Sequence, residues 1–292
     1  MKKSRIVKHI IEPQMVMEGA GVLLRRSIAP QAANLRDPFL LFDHFAFNNP
    51  AEGPIRGFPM HPHRGIETVT YMLEGSVHHR DSLGNAGLIG PGDVQWMTSG
   101  GGIMHEELPR RGESGNIYGF QLWVNLPSSL KWSQPRYQEF SASTIPAIEQ
   151  DGVTIRLVAG EINGIRGPVT EIAIEPIYLE LELAPDSQFN YPVPSEHTVI
   201  AYVFEGGGFL GAAETPVKAT SMVFFSNDEG FQVKTTDSSM RLMLIAGAPI
   251  KETIAPYGPF VMNTREEIQE ALSDLQSGRF VWNEEDPRFT KE

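Results

Sequence analysis

Short runs that alternate apolar with polar or β-branched side chains, each closed by a turn, constrain this chain more than any other feature. Glu67-Thr68-Val69-Thr70-Tyr71-Met72-Leu73 ends at Glu74-Gly75, and Val94-Gln95-Trp96-Met97-Thr98 leads into Ser99-Gly100-Gly101-Gly102. Tyr118-Gly119-Phe120-Gln121-Leu122-Trp123-Val124 follows. Period two is the repeat of a strand, and short strands at this spacing predict an antiparallel sandwich or barrel. Glycine (28) and proline (22) are frequent enough for many turns and too dispersed for a low-complexity chain. One helix is expected, over residues 265–277. Thr264 and Glu267 form a capping box, Ile268, Ala271, Leu272 and Leu275 line one face, and Gly278 stops it. The fold class is all-β with a short C-terminal helix.

Composition then removes several functions. The 292 residues include no cysteine, which excludes disulfide frameworks, zinc ribbons and thiol nucleophiles. A net charge of −12 is the wrong sign for gripping phosphate backbones, so no direct nucleic-acid contact is expected. No segment approaches the ~20 apolar residues of a membrane span. The opening MKKSRIVKHIIEPQ has no continuous apolar stretch of the secretory kind, so a soluble, cytoplasmic protein is expected, or a nuclear one in a eukaryote.

A weak repeat suggests two similar halves: Tyr71-Met72-Leu73-Glu74-Gly75 returns as Tyr202-Val203-Phe204-Glu205-Gly206. The strand pattern lapses near Leu126-Pro127-Ser128-Ser129, which sets the expected division at residues 1–130 and 131–292. That boundary is approximate, because chain ends can cross between halves.

Six of the eight histidines fall within positions 44–105. His61-Pro62-His63 precedes a strand, and in extended chain residues i and i+2 leave the same face about 6.6–6.8 Å apart. Two imidazoles so placed can converge on one ion, with metal–nitrogen bonds of about 2.0–2.1 Å. His105 and Glu107 repeat the period, with Glu106 turned away. Taken singly, either pair reads as solvated loop; together, with Gly100-Gly101-Gly102 just before the second, they read as a metal site. Glu67 begins the strand that follows His63 and reads as a neighbour that orients the ligands by hydrogen bonding. His78-His79-Arg80-Asp81 reads as an exposed hairpin, with His79 reaching the cavity mouth as the minority alternative. His44, in an apolar stretch, reads as a hydrogen-bonded packing residue. Histidine and carboxylate without thiolate suit Fe(II), with Mn, Ni, Cu or Zn as alternatives.

His61-Pro62-His63-Arg64-Gly65, Leu73-Glu74-Gly75, Pro91-Gly92-Asp93, Gln95-Trp96-Met97, Gly102-Ile103-Met104-His105-x-Glu107 and Gly258-Pro259-Phe260-Val261-Met262-Asn263-Thr264 together resemble the pirin family of the cupin superfamily. The resemblance implies two stacked cupin barrels, with residues 1–130 the metal-binding one and 131–292 lacking metal ligands. It implies one divalent ion, Fe(II) first among the candidates, held by His61, His63, His105 and Glu107. Cupins at large often take the carboxylate from H-x-H-x3-E, which makes Glu67 the rival ligand to Glu107; Glu67 and His79 are otherwise read as surrounding candidates. It further implies quercetin 2,3-dioxygenase activity, the opening of a flavonol ring by O2 with loss of carbon monoxide. In that reading the substrate is a small aromatic chelator and Glu107 also assists its deprotonation. The alternative is a non-catalytic, redox-sensitive regulator acting through a protein partner.

Overall fold

The computed structural model describes residues 4–30, 36–45 and 57–289. The described residues pack as two units, and neither is continuous in sequence. The larger comprises Gln14–Ala142 with Ile250–Glu292, and the smaller Met1–Pro13 with Ser143–Pro249. The division between these units does not run at the expected 130/131, because both chain ends change sides.

Each exchange has a local cause. Strand β1 (Val7–Ile11) pairs antiparallel with Ser221–Phe225 in the smaller unit. Just before it, the Arg5 side chain is fully buried there and donates from Nη2 to the Pro194 carbonyl (2.7 Å) and from Nη1 to the Ser226 carbonyl (2.5 Å). At the other end, helix α1 (Arg265–Ser277) buries Ile268 and Ala271 in a cluster with Phe260, Met262 and Phe280, against which Met104 and Trp132 pack. The helix thus belongs with the first half of the chain. Its capping box at Thr264 and Glu267 and its left-handed Gly278 terminus are as expected. Leu275 is not on the buried face: it is 37% exposed, and Asp274 takes the inward position because two arginines meet it there.

The larger unit holds strands β2 (Gln14–Glu18), β3 (Val22–Ile28), β4 (Phe39–Phe45), β5 (Phe58–His63), β6 (Ile66–Glu74) and β7 (Ser76–Asp81). These are followed by β8 (Ala86–Ile89), β9 (Val94–Thr98), β10 (Ile103–Arg110), β11 (Tyr118–Asn125) and β12 (Arg136–Phe140). They form a seven-stranded sheet in the order β12-β9-β6-β11-β4-β3-β2 and a four-stranded sheet in the order β5-β10-β7-β8. The two are open sheets, the layout of a cupin jelly roll. One core cluster joins Val22, Leu24, Phe45 and Met72 of the first sheet to Val77 and Ile89 of the second. Burial of such side chains stabilises by roughly 1.5–3 kcal/mol each, which holds the sheets as a rigid frame. The smaller unit repeats the plan around a ten-stranded sheet, with one hydrophobic core of aliphatic and aromatic side chains drawn from Val153 to Ala246. No helix among the described residues is long and apolar enough to cross a membrane.

Candidate metal centre

The two histidine-bearing segments are hydrogen-bonded neighbours. β5 and β10 pair antiparallel with His61 opposite His105 and His63 opposite Ile103. β5 is an edge strand, so Pro62 can sit between the two histidines without removing a hydrogen bond that the sheet needs. Gly65 must follow at φ +79°, where a side chain would also strike the Val261 carbonyl oxygen at 2.2 Å. On β10 the alternation holds, with His105 and Glu107 buried and Glu106 half-buried, where it pairs with Arg80. A register slip between His105 and Glu107 then sets Glu107 opposite Phe58.

One ring nitrogen from each of His61, His63 and His105 lies within 4.8 Å of the others. The ring centroids are 4.4 Å (His61–His105), 4.9 Å (His61–His63) and 5.0 Å (His63–His105) apart. His61 Nδ1 faces the Pro59 carbonyl at 2.9 Å and His63 Nδ1 faces the Pro259 carbonyl at 3.3 Å. A carbonyl only accepts, so each Nδ1 carries a proton, and in a neutral ring Nε2 then presents the lone pair. Those two Nε2 atoms stand 3.1 Å apart. Two donors at right angles around an ion, each bonded at about 2.1 Å, would be separated by about 3 Å. His105 is buried, and neither of its ring nitrogens has a hydrogen-bond partner among the described residues. Burial, followed by the neighbouring imidazoles, pushes the pKa of His105 well below the ordinary histidine range. Burial and His61 do the same to His63. Neutral imidazole is the form that ligates, so nitrogen count and spacing, and the protonation state of His63 and His105, fit a divalent cation.

Glu107 stands beside this cluster and outside it. Its carboxylate is buried and accepts from Gln121 Nε2 at 3.1 and 3.2 Å and from Thr70 Oγ1 at 3.3 Å. Both donors are neutral, so they orient the carboxylate without neutralising it. Glu107, Gln121, His61 and His63 all line one cavity of about 410 Å³. Trp123 lines it too and meets the His63 ring edge-on at 5.1 Å.

The rival and outlying residues are placed elsewhere. Glu67 accepts from Trp96 Nε1 (3.0 Å) and Thr98 Oγ1 (2.8 Å), and burial raises its pKa. Its oxygens tie β6 to β9 and are not part of the three-histidine cluster. His79 does not sit on an exposed hairpin: it is buried on β7, with Nε2 2.8 Å from Glu139 Oε1 and its ring stacked on Tyr137. It stays inside because it faces Glu107 across the β7–β10 pair and so shares the interior side of the sheet. His44 is packed against the rings of Tyr118 and Phe120, and burial pushes its pKa down to about 3.

Sequence reasoning missed the groups that brace the site. Gln121 carried a signal, as the lone amide in the apolar run Phe120–Val124. Lys131 carried none, since it falls where the strand pattern lapses. It is fully buried, and its Nζ donates to the Gly65 carbonyl (2.8 Å), the Val261 carbonyl (2.7 Å) and Asn125 Oδ1 (2.7 Å). Burial lowers its pKa from 10.5 to about 7. The unfolded chain therefore binds the extra proton at pH values above 7, and folding stability should rise with pH up to the unfolded pKa. The slope is at most about 1.4 kcal/mol per pH unit. Lys131→Met should abolish that rise, measured by urea unfolding at pH 7 and pH 9.

Comparison with known proteins is consistent across the chain. The family model described as Pirin matches residues 21–124, and that described as Pirin C-terminal cupin domain matches residues 178–281. "Pirin-like protein" of Caulobacter vibrioides is 42% identical over 278 residues, which cover 94% of this chain and 99% of that one. "Pirin" of Homo sapiens is 41% identical over 267 residues, covering 90% and 89%. The crystal structure of a quercetin 2,3-dioxygenase from Acinetobacter baumannii superposes with a TM-score of 0.85 at 32% identity, covering 94% of this chain and 98% of that one.

Proposed function

The chain belongs to the pirin family, and from that premise we propose that it is a metal-dependent dioxygenase that opens a flavonol with O2. The observation that carries this reading is the cluster of three imidazoles, two of which line one cavity together with an oriented, buried carboxylate. The A. baumannii relative, a quercetin 2,3-dioxygenase, supplies the substrate class.

His61, His63 and His105 would hold the cation, and Glu107, beside them, would turn toward it as fourth ligand and act as base. Fe(II) is the first candidate, and Mn, Ni, Cu and Zn share its preference for these donors. When bound, a divalent ion supplies Lewis acidity and a centre at which a chelating hydroxyl and O2 are brought together. Glu107 Oε takes the proton from that hydroxyl, and Gln121 Nε2 and Thr70 Oγ1 hold the carboxylate in place as it does so. Trp123 covers His63 and offers the substrate a flat apolar wall, which keeps bulk water from the reacting face.

The test is O2 uptake in an oxygen electrode with quercetin. Protein stripped by a chelator should be silent, and reloading with Fe(II) should restore uptake of one O2 per quercetin consumed. No uptake with any of the five metals would overturn the enzymatic reading and leave the partner-binding alternative.

A further inference from the structure

A row of polar side chains crosses the inner face of the seven-stranded sheet, leading away from the histidine cluster. Thr70 on β6 is opposite Gln121 on β11, Gln121 is opposite Asp43 on β4, and Asp43 is opposite Arg26 on β3. Directly opposed residues of antiparallel strands share a face, so these four point the same way. Beside the row lies an apolar pair made the same way, Trp123 opposite Leu41. Gln121, Asp43, Arg26, Trp123 and Leu41 all line the cavity that His61 and His63 close at one end.

The far end of the row is charged. Arg26 donates from Nε and Nη2 to the two oxygens of Asp43 (2.8 and 2.7 Å) and from Nη1 to Glu18 Oε1 (2.7 Å). Asp43 is buried, and Glu18 is 41% exposed at the cavity's rim. Replacing a buried ion pair with apolar residues of similar size is often neutral or stabilising, so stability alone does not account for this one. The triad carries a net charge of −1. Among the described residues, three of the five guanidinium N–H groups are used, which leaves two donors beside two carboxylates with lone pairs to spare. Such a group can donate to and accept from a hydroxyl, while its net charge repels an anion. Arg26 lies two inter-strand spacings from Gln121, about 10 Å, close to the length of a three-ring aromatic molecule.

We propose that Arg26, Asp43 and Glu18 form a hydroxyl-recognising subsite, which selects neutral polyhydroxylated aromatic ligands over ligands with a bare or anionic distal ring. The subsite rests on the reading of the cavity as a flavonol site. A ligand would chelate at the histidine end, lie flat on Trp123 and Leu41, and place a distal hydroxyl against the triad. The selection is thermodynamic and precedes any chemistry.

Two flavonols with the same 3-hydroxy-4-keto chelating edge separate the ends of the cavity: quercetin, with ring hydroxyls, and 3-hydroxyflavone, without them. Their affinities for anaerobic, Zn(II)-loaded protein are read from quenching of tryptophan fluorescence. Wild type should prefer quercetin by about tenfold, the worth of one or two hydrogen bonds. Glu18→Gln, at a half-exposed position that leaves the core intact, and Asp43→Asn should each reduce that preference to about twofold or less. Equal affinities in wild type, a preference unchanged in both variants, or no binding of either compound would overturn the subsite. Ring opening of 3-hydroxyflavone by Fe(II)-loaded protein without any hydroxyl preference would defeat the subsite alone. Hydroxyl-dependent binding with no O2 uptake would defeat the dioxygenase reading alone.

Discussion

His105→Ala is expected to yield a folded protein that retains no stoichiometric metal. Its wild-type ring nitrogens are buried without hydrogen-bond partners among the described residues, and an orphaned buried polar group costs about 1–3 kcal/mol. Removing the ring relieves that cost and offsets part of the cavity left behind, so the metal-free variant should unfold close to the metal-free wild type. The metal response should differ greatly. Loss of groups that merely orient a ligand lowers metal affinity 10–100-fold, and removal of one of three clustered imidazoles should lower it at least ~100-fold. An ion present at about 100 times its dissociation constant stabilises a native protein by about 2.7 kcal/mol. Added Fe(II) or Ni(II) should therefore raise the melting temperature of wild type and leave that of His105→Ala unmoved. O2 uptake with quercetin should fall to background. A variant that still binds one ion per chain with wild-type affinity would remove His105 from the site.

The parts of the site written in period two were legible in the sequence. Alternation alone put His61 with His63 and His105 with Glu107, and turned Glu106 outward, where it meets Arg80. The helix was legible for a similar reason: its caps act through side chains three residues apart, and both partners lie in the sequence window. Leu275 failed because helical periodicity ranks positions by polarity, and Asp274 is made welcome inside by Arg64, 210 residues away, and by Arg288, beyond the end of the helix. His79 failed likewise, since a histidine beside Arg80 looks exposed until Glu139 and Tyr137 close over it from another strand. The exchange of the N-terminal end rests on Arg5 reaching carbonyls about 190 and 221 residues away, which no pattern along the sequence encodes. Polar residues inside otherwise apolar strands were the unread signal. Gln121 and Asp43 both sit in such strands, face each other across β11 and β4, and prove to be the brace of Glu107 and the anchor of Arg26.

The C-terminal segment offers the largest expected effect on stability, through Asp274→Leu. Arg64 follows His63 directly and is 0% exposed. Its guanidinium donates from Nη1 to Asp274 Oδ2 (2.9 Å) and from Nη2 to the Phe280 carbonyl (2.9 Å), and lies against the rings of Trp132 and Phe280. Asp274 also receives Arg288 Nη1 at 2.7 Å. Leucine fills similar space but leaves a buried guanidinium without its counter-charge, which should cost about 3–5 kcal/mol in urea unfolding. Asp274→Asn keeps an acceptor and loses only the charge, so it should cost less. The consequence should reach the metal, because the segment that carries Asp274 also supplies the Pro259 carbonyl that fixes the His63 Nδ1 proton. Loosening a group that orients a ligand lowers metal affinity by about 10–100-fold, and both variants should show it in the same order as their stabilities. If Asp274→Leu loses the predicted stability yet binds the ion as wild type does, Arg64 is a fastener of the helix only, and His63 is positioned by its own strand.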